Sequence, residues 1–110
     1  MKLPNGEHAY IGDKLRTYAL DPRHRLGAHK ARVFAAALGI TLSNEHDLAD
    51  AIRDAAAQSE AATLVKQTQF GAAYSLEFSM RTSRGEALVL TGWIIRNGED
   101  FPRLTTCYVV

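Results

Sequence analysis

Between Ala28 and Leu38 the apolar positions Ala31, Phe34, Ala35 and Leu38 follow the i, i+3, i+4, i+7 spacing of one helical face. Gly39 supplies the stop, since glycine readily takes the left-handed conformation that ends helices. The spacing predicts a helix starting near Gly27 or Ala28 and ending at Leu38. On that register Lys30 flanks the apolar stripe, while His29 and Arg32 turn towards solvent. Upstream, Ile11, Leu15 and Tyr18 form a shorter stripe that Asp13 would cap. Pro22 ends it, because the residue before a proline is pushed out of the helical region. A third helix follows Ser43 as cap, with Glu45 and Asp47 in its first turn and Leu48, Ala51, Ile52 and Ala55 facing inward.

Beyond "AAAQSEAA" the period changes to two. In "AYSLEFSMR", Tyr74, Leu76, Phe78 and Met80 alternate with Ala73, Ser75, Glu77 and Ser79, the pattern of a strand with one buried face. "SRG" (Ser83 to Gly85) reads as a hairpin turn. "EALVLTGWIIR" is apolar on both faces, with Leu88, Leu90 and Ile94 on one and Val89, Thr91, Trp93 and Ile95 on the other. That predicts a central strand covered on both sides. After the turn "NGEDFP", "RLTTCYVV" closes the chain, with Leu104, Thr106 and Tyr108 on one face and Arg103, Thr105 and Cys107 on the other. "TLVKQTQ" (Thr63 to Gln69) is the expected preceding edge strand, and "PNG" (Pro4 to Gly6) a tight turn. The order predicts one α+β domain over residues 1–110. Two to three N-terminal helices would pack on one face of a three- to four-stranded antiparallel meander.

Composition narrows this picture only slightly. The chain has 110 residues, 46% hydrophobic and 23% charged, ordinary for a globular domain that buries its own core. A net charge of +1 removes the simplest argument for nucleic-acid binding, but the charges are segregated. Arg16, Arg23, Arg25, Lys30 and Arg32 face Asp21 alone, whereas Glu45, Asp47, Asp50, Asp54 and Glu60 face only Arg53. The single cysteine, Cys107, excludes an internal disulfide and a cysteine-based metal site. No apolar run approaches the ~20 residues needed to span a membrane. "MKLPNGEHAY" lacks a signal-peptide core, so the expectation is a cytoplasmic protein without membrane contact.

The chemistry concentrates in "DPRHRLGAHK", where His24, His29, Arg23, Arg25 and Lys30 crowd the entrance of the second helix. Positive charge is mildly unfavourable there, whereas an anion such as phosphate would suit the place. Neither carboxylates nor cysteines accompany the histidines at ligand spacing, and Lys30 and Arg25 would repel a cation, so neither a metal nor another cofactor is expected. Metal-independent cleavage of RNA asks for a base at the ribose 2′-hydroxyl, an acid at the leaving 5′-oxygen and cations for the phosphate. Histidine serves either proton role near neutral pH. His46 and His8 read as solvated surface groups. A second constellation lies in "PRLTTCYVV", where Arg103 enters an otherwise uncharged strand and Thr106 and Tyr108 repeat hydroxyls. Trp93 reads as core or as a stacking platform, and Thr91 beside it needs a hydrogen-bond partner if buried.

Two stretches carry a resemblance. "L-x-P-x-H-x-x-G-x-x-K-A-x-x-F-x-x-x-L-G" (Leu20 to Gly39) resembles the N-terminal signature of an uncharacterised family of small bacterial domains, which stand alone or end phage-head and polymorphic toxin proteins. "TGWIIRNGEDFPRLTTCY" (Thr91 to Tyr108) resembles the same family's end. It is also similar to the closing strand of the barnase–EndoU–colicin–RelE (BECR) superfamily of metal-independent ribonucleases, built from N-terminal helices and a four-stranded antiparallel sheet. Together the resemblance covers nearly the whole chain. It implies catalytic roles for His24 and Lys30 and, from the closing strand, for Arg103, Thr106 and Tyr108, with His29 as an alternative base. Arg25, Arg32, Thr91 and Trp93 would then contact substrate. The sequence departs from the pattern at Arg25, where a proline is usual, and at Cys107, where the strand has alanine. The expected activity is a toxin-type endoribonuclease, with RNA as substrate and an acidic antitoxin or immunity protein as partner. The rival expectation is a non-catalytic interaction module of the same systems. An unrelated small-molecule enzyme would instead show a deep apolar pocket under Trp93.

Overall fold

In the computed structural model, residues 1–110 are described throughout. Two α-helices, α1 (Ala28–Leu38) and α2 (Glu45–Gln58), precede four strands: β1 (Thr63–Thr68), β2 (Gly71–Arg81), β3 (Glu86–Arg96) and β4 (Arg103–Val109). The strands run in order β1-β2-β3-β4, each antiparallel to the next, and the helices pack against the sheet in an α+β fold. The first apolar stripe is not an α-helix. Leu15–Ala19 makes a single wide π-type turn, in which Thr17 donates to the Asp13 carbonyl and the Asp13 side chain caps nothing. The cap before α2 is also displaced from expectation. Thr41, not Ser43, accepts from the Ser43 amide, while the Asn44 side chain reaches back to the Thr41 amide.

The core joins both halves. Phe34 and Leu38 of α1 and Leu48 and Ile52 of α2 meet Leu76, Val89, Trp93, Leu104 and Cys107 of the sheet. The C-terminal carbonyls of α1, left without helical partners, are taken up by the β2–β3 hairpin. Thr82 Oγ1 donates to Leu38 O at 2.7 Å and Arg84 Nε to Ala36 O at 3.2 Å. Gly39 ends the helix at φ 68°, as its sequence position predicts.

β3 departs from the expectation of a doubly covered strand. Its core face (Val89, Thr91, Trp93) is buried, but Leu88 on the other face is 48% exposed, and Leu90 and Ile94 are half-buried. Both faces are apolar, yet all the helices lie on one side.

β4 contains a bulge that reassigns its faces. Gly92 pairs with Thr106 and Trp93 with Leu104, leaving Thr105 outside the ladder. Leu104 and Cys107 therefore fall opposite Trp93 and Thr91 and are both buried. Arg103, Thr106 and Tyr108 fall opposite Ile94, Gly92 and Leu90. The strict alternation read from the sequence, with Leu104 beside Thr106 and Arg103 beside Cys107, is corrected by that one extra residue.

The two edges of the sheet differ. Tyr10 bridges to Arg103, donating its amide to Pro102 O at 2.8 Å and accepting from the Leu104 amide at 2.9 Å, so the start of β4 is covered. β1 is exposed along its whole length, and its pairing slips between Leu64 and Lys66 so that Val65 stands out of register.

Candidate functional site

α1 opens without a side-chain cap at Gly27 itself. His24 does that work instead: its Nδ1 accepts from the Leu26 and Gly27 amides, each at 2.9 Å, and its carbonyl accepts from the Ala28 amide. With Nδ1 taken up by these two amides, Nε2 is the ring nitrogen left to meet a ligand. Gly27 has a second reason to be glycine. A Cβ there would stand 2.0 Å from the Tyr18 carbonyl oxygen, so only a bare backbone lets the Leu15–Ala19 turn pack so closely on the start of α1.

That approach brings Tyr18 into the cluster. Its ring meets His24 edge-on, with centroids 5.0 Å apart and planes at 89°. Lys30 Nζ lies 5.2 Å from the Tyr18 ring centroid and 5.7 Å from that of Tyr108, and Lys14 Nζ stands 5.8 Å from the Tyr18 ring. Lys30 is the main cause holding the Tyr18 phenol below its ordinary pKa. Burial opposes it, while Thr106 and the charges of Lys30 and Lys14 add to it. α1 and the Leu15–Ala19 turn flank β4 here, so residues some ninety positions apart in sequence form one half-exposed shelf.

The shelf unites four of the residues singled out from the sequence: His24, Lys30, Thr106 and Tyr108. Tyr18 and Lys14 join them. Tyr18 escaped notice because it sits in an apolar stripe, where a tyrosine reads as core. The signal was there in its phenol tip, which a buried stripe would have to satisfy.

The other residues lie elsewhere. Arg103 is not on the shelf: its Nε and Nη2 grip Glu99 at 2.9 and 2.8 Å, and its guanidinium stacks on Tyr10 and Phe101 at 5.1 and 4.9 Å. That pairing holds the Glu99 carboxyl below its usual range and raises Arg103 further. His29 is on the exposed face of α1, next to Lys30 in sequence but about 100° around the helix. Arg25 and Arg32 are exposed, and with Arg23 and Lys30 they form no ion pair. Thr91 and Trp93 are corrected outright as substrate contacts. Each is 1% exposed; Trp93 Nε1 donates to Thr91 Oγ1 at 2.8 Å, and Thr91 Oγ1 donates on to Leu76 O at 2.8 Å. A tryptophan and threonine at i and i−2 on one strand satisfy each other inside the core and offer a ligand nothing.

No group of three or more histidine, cysteine or acidic side chains is placed to hold a metal ion. Cys107 is buried, and burial pushes its thiol up to about 12, so it is inert. No cavity opens under Trp93. The largest, of about 930 Å3, lies between α2 and the β2–β3 hairpin, and smaller ones of about 280 and 180 Å3 flank Arg32 and Arg103. A family model described as a domain of unknown function, DUF6883, matches residues 2–110. The chain belongs to this family. No curated protein and no solved structure matches it. In this DUF6883 domain no helix is long and apolar enough to cross a membrane.

Proposed function

We propose that this DUF6883 domain is a metal-independent endoribonuclease of toxin type, related to the BECR superfamily, and that the shelf at β4 is its active site. The observation that carries the reading is the place of Lys30. It stands against the rings of both Tyr18 and Tyr108, with no carboxylate paired to it. A phosphodiester on the shelf would meet the Lys30 ammonium, the Thr106 hydroxyl and the Nε2 of His24, donors suited to charge growing on phosphate oxygens. A flat aromatic shelf rather than a closed cavity also suits a polymer, whose bases can stack on tyrosine rings. Exposed Arg23, Arg25 and Arg32, in the same stretch of chain as His24 and Lys30, would draw the backbone in, and an acidic antitoxin or immunity protein would cover the same surface.

The test is to incubate the purified domain with total RNA in EDTA, beside Lys30→Met and Tyr108→Phe variants. Cleavage by the wild type that falls at least tenfold in Lys30→Met supports the reading. Intact RNA, or cleavage undiminished in both variants, sinks it. One observation favours the rival reading of a non-catalytic binding module: the Nδ1 of His24, one of the two histidines expected as base or acid, is committed to capping α1. Under that reading RNA or a protein partner is bound by the same residues and nothing is cut.

A further inference from the structure

The shelf occupies one end of β4, and the chain beside that strand repeats its chemistry at the other. Tyr10 pairs with Arg103 in a parallel bridge, and the Leu15–Ala19 turn lies against β4 further along, so residues 10–18 follow the strand's outer edge. Two rails of side chains result. β4 carries Arg103, Thr106 and Tyr108, which the bulge sets opposite Ile94, Gly92 and Leu90. The accompanying segment carries Tyr10, Lys14 and Tyr18, spaced four apart. From Ile94 to Leu90 is four residues of β3, about 13 Å at the rise of a strand. One phosphodiester cannot reach both ends, whereas a strand of nucleic acid can.

The far end is a built place. The Arg103 guanidinium stacks on Tyr10 and Phe101 at 5.1 and 4.9 Å, and the two rings meet edge-on with centroids 6.4 Å apart. Gly12 lets the Tyr10 ring lie close, since a Cβ there would stand 2.9 Å from its Cε1. Held in this way, Tyr10 is still 52% exposed, which is what a stacking surface needs and a core residue lacks. Beside it opens the cavity of about 180 Å3, lined by Tyr10, Lys14, Arg96, Arg103 and Thr105, with Asp13 at its rim. That volume is small for a free ligand, whose pockets start near ~300 Å3, but it admits a phosphate that arrives tethered. Glu99 is taken by Arg103, while Lys14 and Arg96 form no ion pair, so the surplus charge is positive. Lys14 joins the two ends, since its Nζ also lies 5.8 Å from the Tyr18 ring.

We propose that a nucleotide flanking the scissile one binds here, its phosphate in the cavity at Lys14 and Arg96 and its base against Tyr10, so that RNA lies along β4. The inference rests on the ribonuclease reading of the shelf and extends its substrate from one phosphodiester to a stretch of strand. That stretch is unpaired, because a base within a duplex has no free face to offer Tyr10. Arg103, expected at the catalytic centre, becomes the support that fixes Tyr10 for the flanking base.

The experiment compares wild type with Arg96→Met and Tyr10→Leu on two substrates in EDTA. One is a dinucleoside phosphate, which fills the shelf alone; the other is an oligouridylate of about ten nucleotides, within the range of site sizes that single-strand binders cover. On the longer RNA, Arg96→Met should raise KM about 3- to 10-fold and lower the salt slope of binding by about one. Tyr10→Leu should raise KM at least ~5-fold, the lower end for a lost base–aromatic stack, with the salt slope unchanged. In both variants kcat and all cleavage of the dinucleoside phosphate should stay within twofold of wild type, which a merely structural role of these residues would not produce. Longer RNA cut by both variants with wild-type KM and salt slope overturns this inference and leaves the ribonuclease reading standing. Equal losses on both substrates overturn it as well. RNA bound with these length and salt effects but left uncut keeps the flanking site and overturns the ribonuclease reading. A wild type that neither binds nor cuts RNA overturns both.

Discussion

β4 and β1 close opposite edges of the same four-stranded sheet, and they are treated in opposite ways. β4 is bridged by Tyr10 at its start, flanked by α1 and the Leu15–Ala19 turn, and bears Thr106 and Tyr108 of the shelf. β1 has nothing against it: all six of its residues are exposed, including Leu64 at 47% and Val65 at 60%. A strand gains most of its stability from what packs on it rather than from its own propensity. The covered edge is therefore where side chains from distant parts of the chain are held in fixed relation, and where a site can be built. The open edge can support no such precision.

That contrast can be broken most forcefully at Trp93. Trp93→Ala should cost about 3–5 kcal/mol, the range for truncating a buried aromatic, and it leaves Thr91 without its indole donor. Thermal or urea unfolding reads it, and a loss under ~1 kcal/mol would mean the β3–β4 core is not the stable part. Gly27→Ala comes next. Its methyl group would collide with the Tyr18 carbonyl, and the overpacking should cost about 1–3 kcal/mol while moving Tyr18 away from Lys30. Equal stability, with an unchanged tyrosine titration, would show that the turn and α1 are not locked together.

A pH effect of similar size belongs to Cys107. Its folded pKa, about 12, lies above the ordinary value of 9.0, so the buried thiol's contribution is complete below pH 9.0. As pH rises from there towards 12 the unfolded chain loses a proton that the folded chain keeps, and stability should fall by about 1.4 kcal/mol per pH unit. Tyr18 works the other way, since its folded pKa is lowered: its contribution grows as pH rises to its ordinary value of 10.0. In Cys107→Ala the alkaline limb of an unfolding series should flatten; an unchanged limb would assign the loss elsewhere. The smallest effect is expected on β1, where Val65→Ala should change stability by no more than about 0.5 kcal/mol. A larger loss would show that this edge is not bare in solution.

Most of the architecture was legible in the sequence, because period and punctuation speak directly of local structure. α1 begins and ends where the Ala31–Phe34–Leu38 stripe and Gly39 place it, and all four strands and the Ser83–Gly85 turn fall in the stretches expected of them. The site was half legible. His24, Lys30, Thr106 and Tyr108 announce themselves by residue type, but Tyr18 is hidden within an apolar stripe. The bulge at Thr105 has no signature, since two successive threonines suit a strand equally well in or out of register. It moved Arg103 onto the face of Thr106 and Tyr108, yet Glu99, Tyr10 and Phe101 claim its charge. That competition lies in tertiary contacts no spacing reveals. The role of His24 as a cap was equally invisible, because a side chain's choice between backbone and ligand depends on the turn that precedes it.

The irregularity at Val65 has a consequence for how this protein behaves at high concentration. An edge of free amides and carbonyls, flanked by Leu64 and Val65, is a template on which further strands could grow. An incoming strand would need a matching extra residue opposite Val65, and it would meet the ammonium of Lys66 as it docked. The sheet therefore carries its own chain terminator at its one open margin. Removing that stop, by Lys66→Val with Val65 deleted, should turn a dispersed solution into one that seeds fibres.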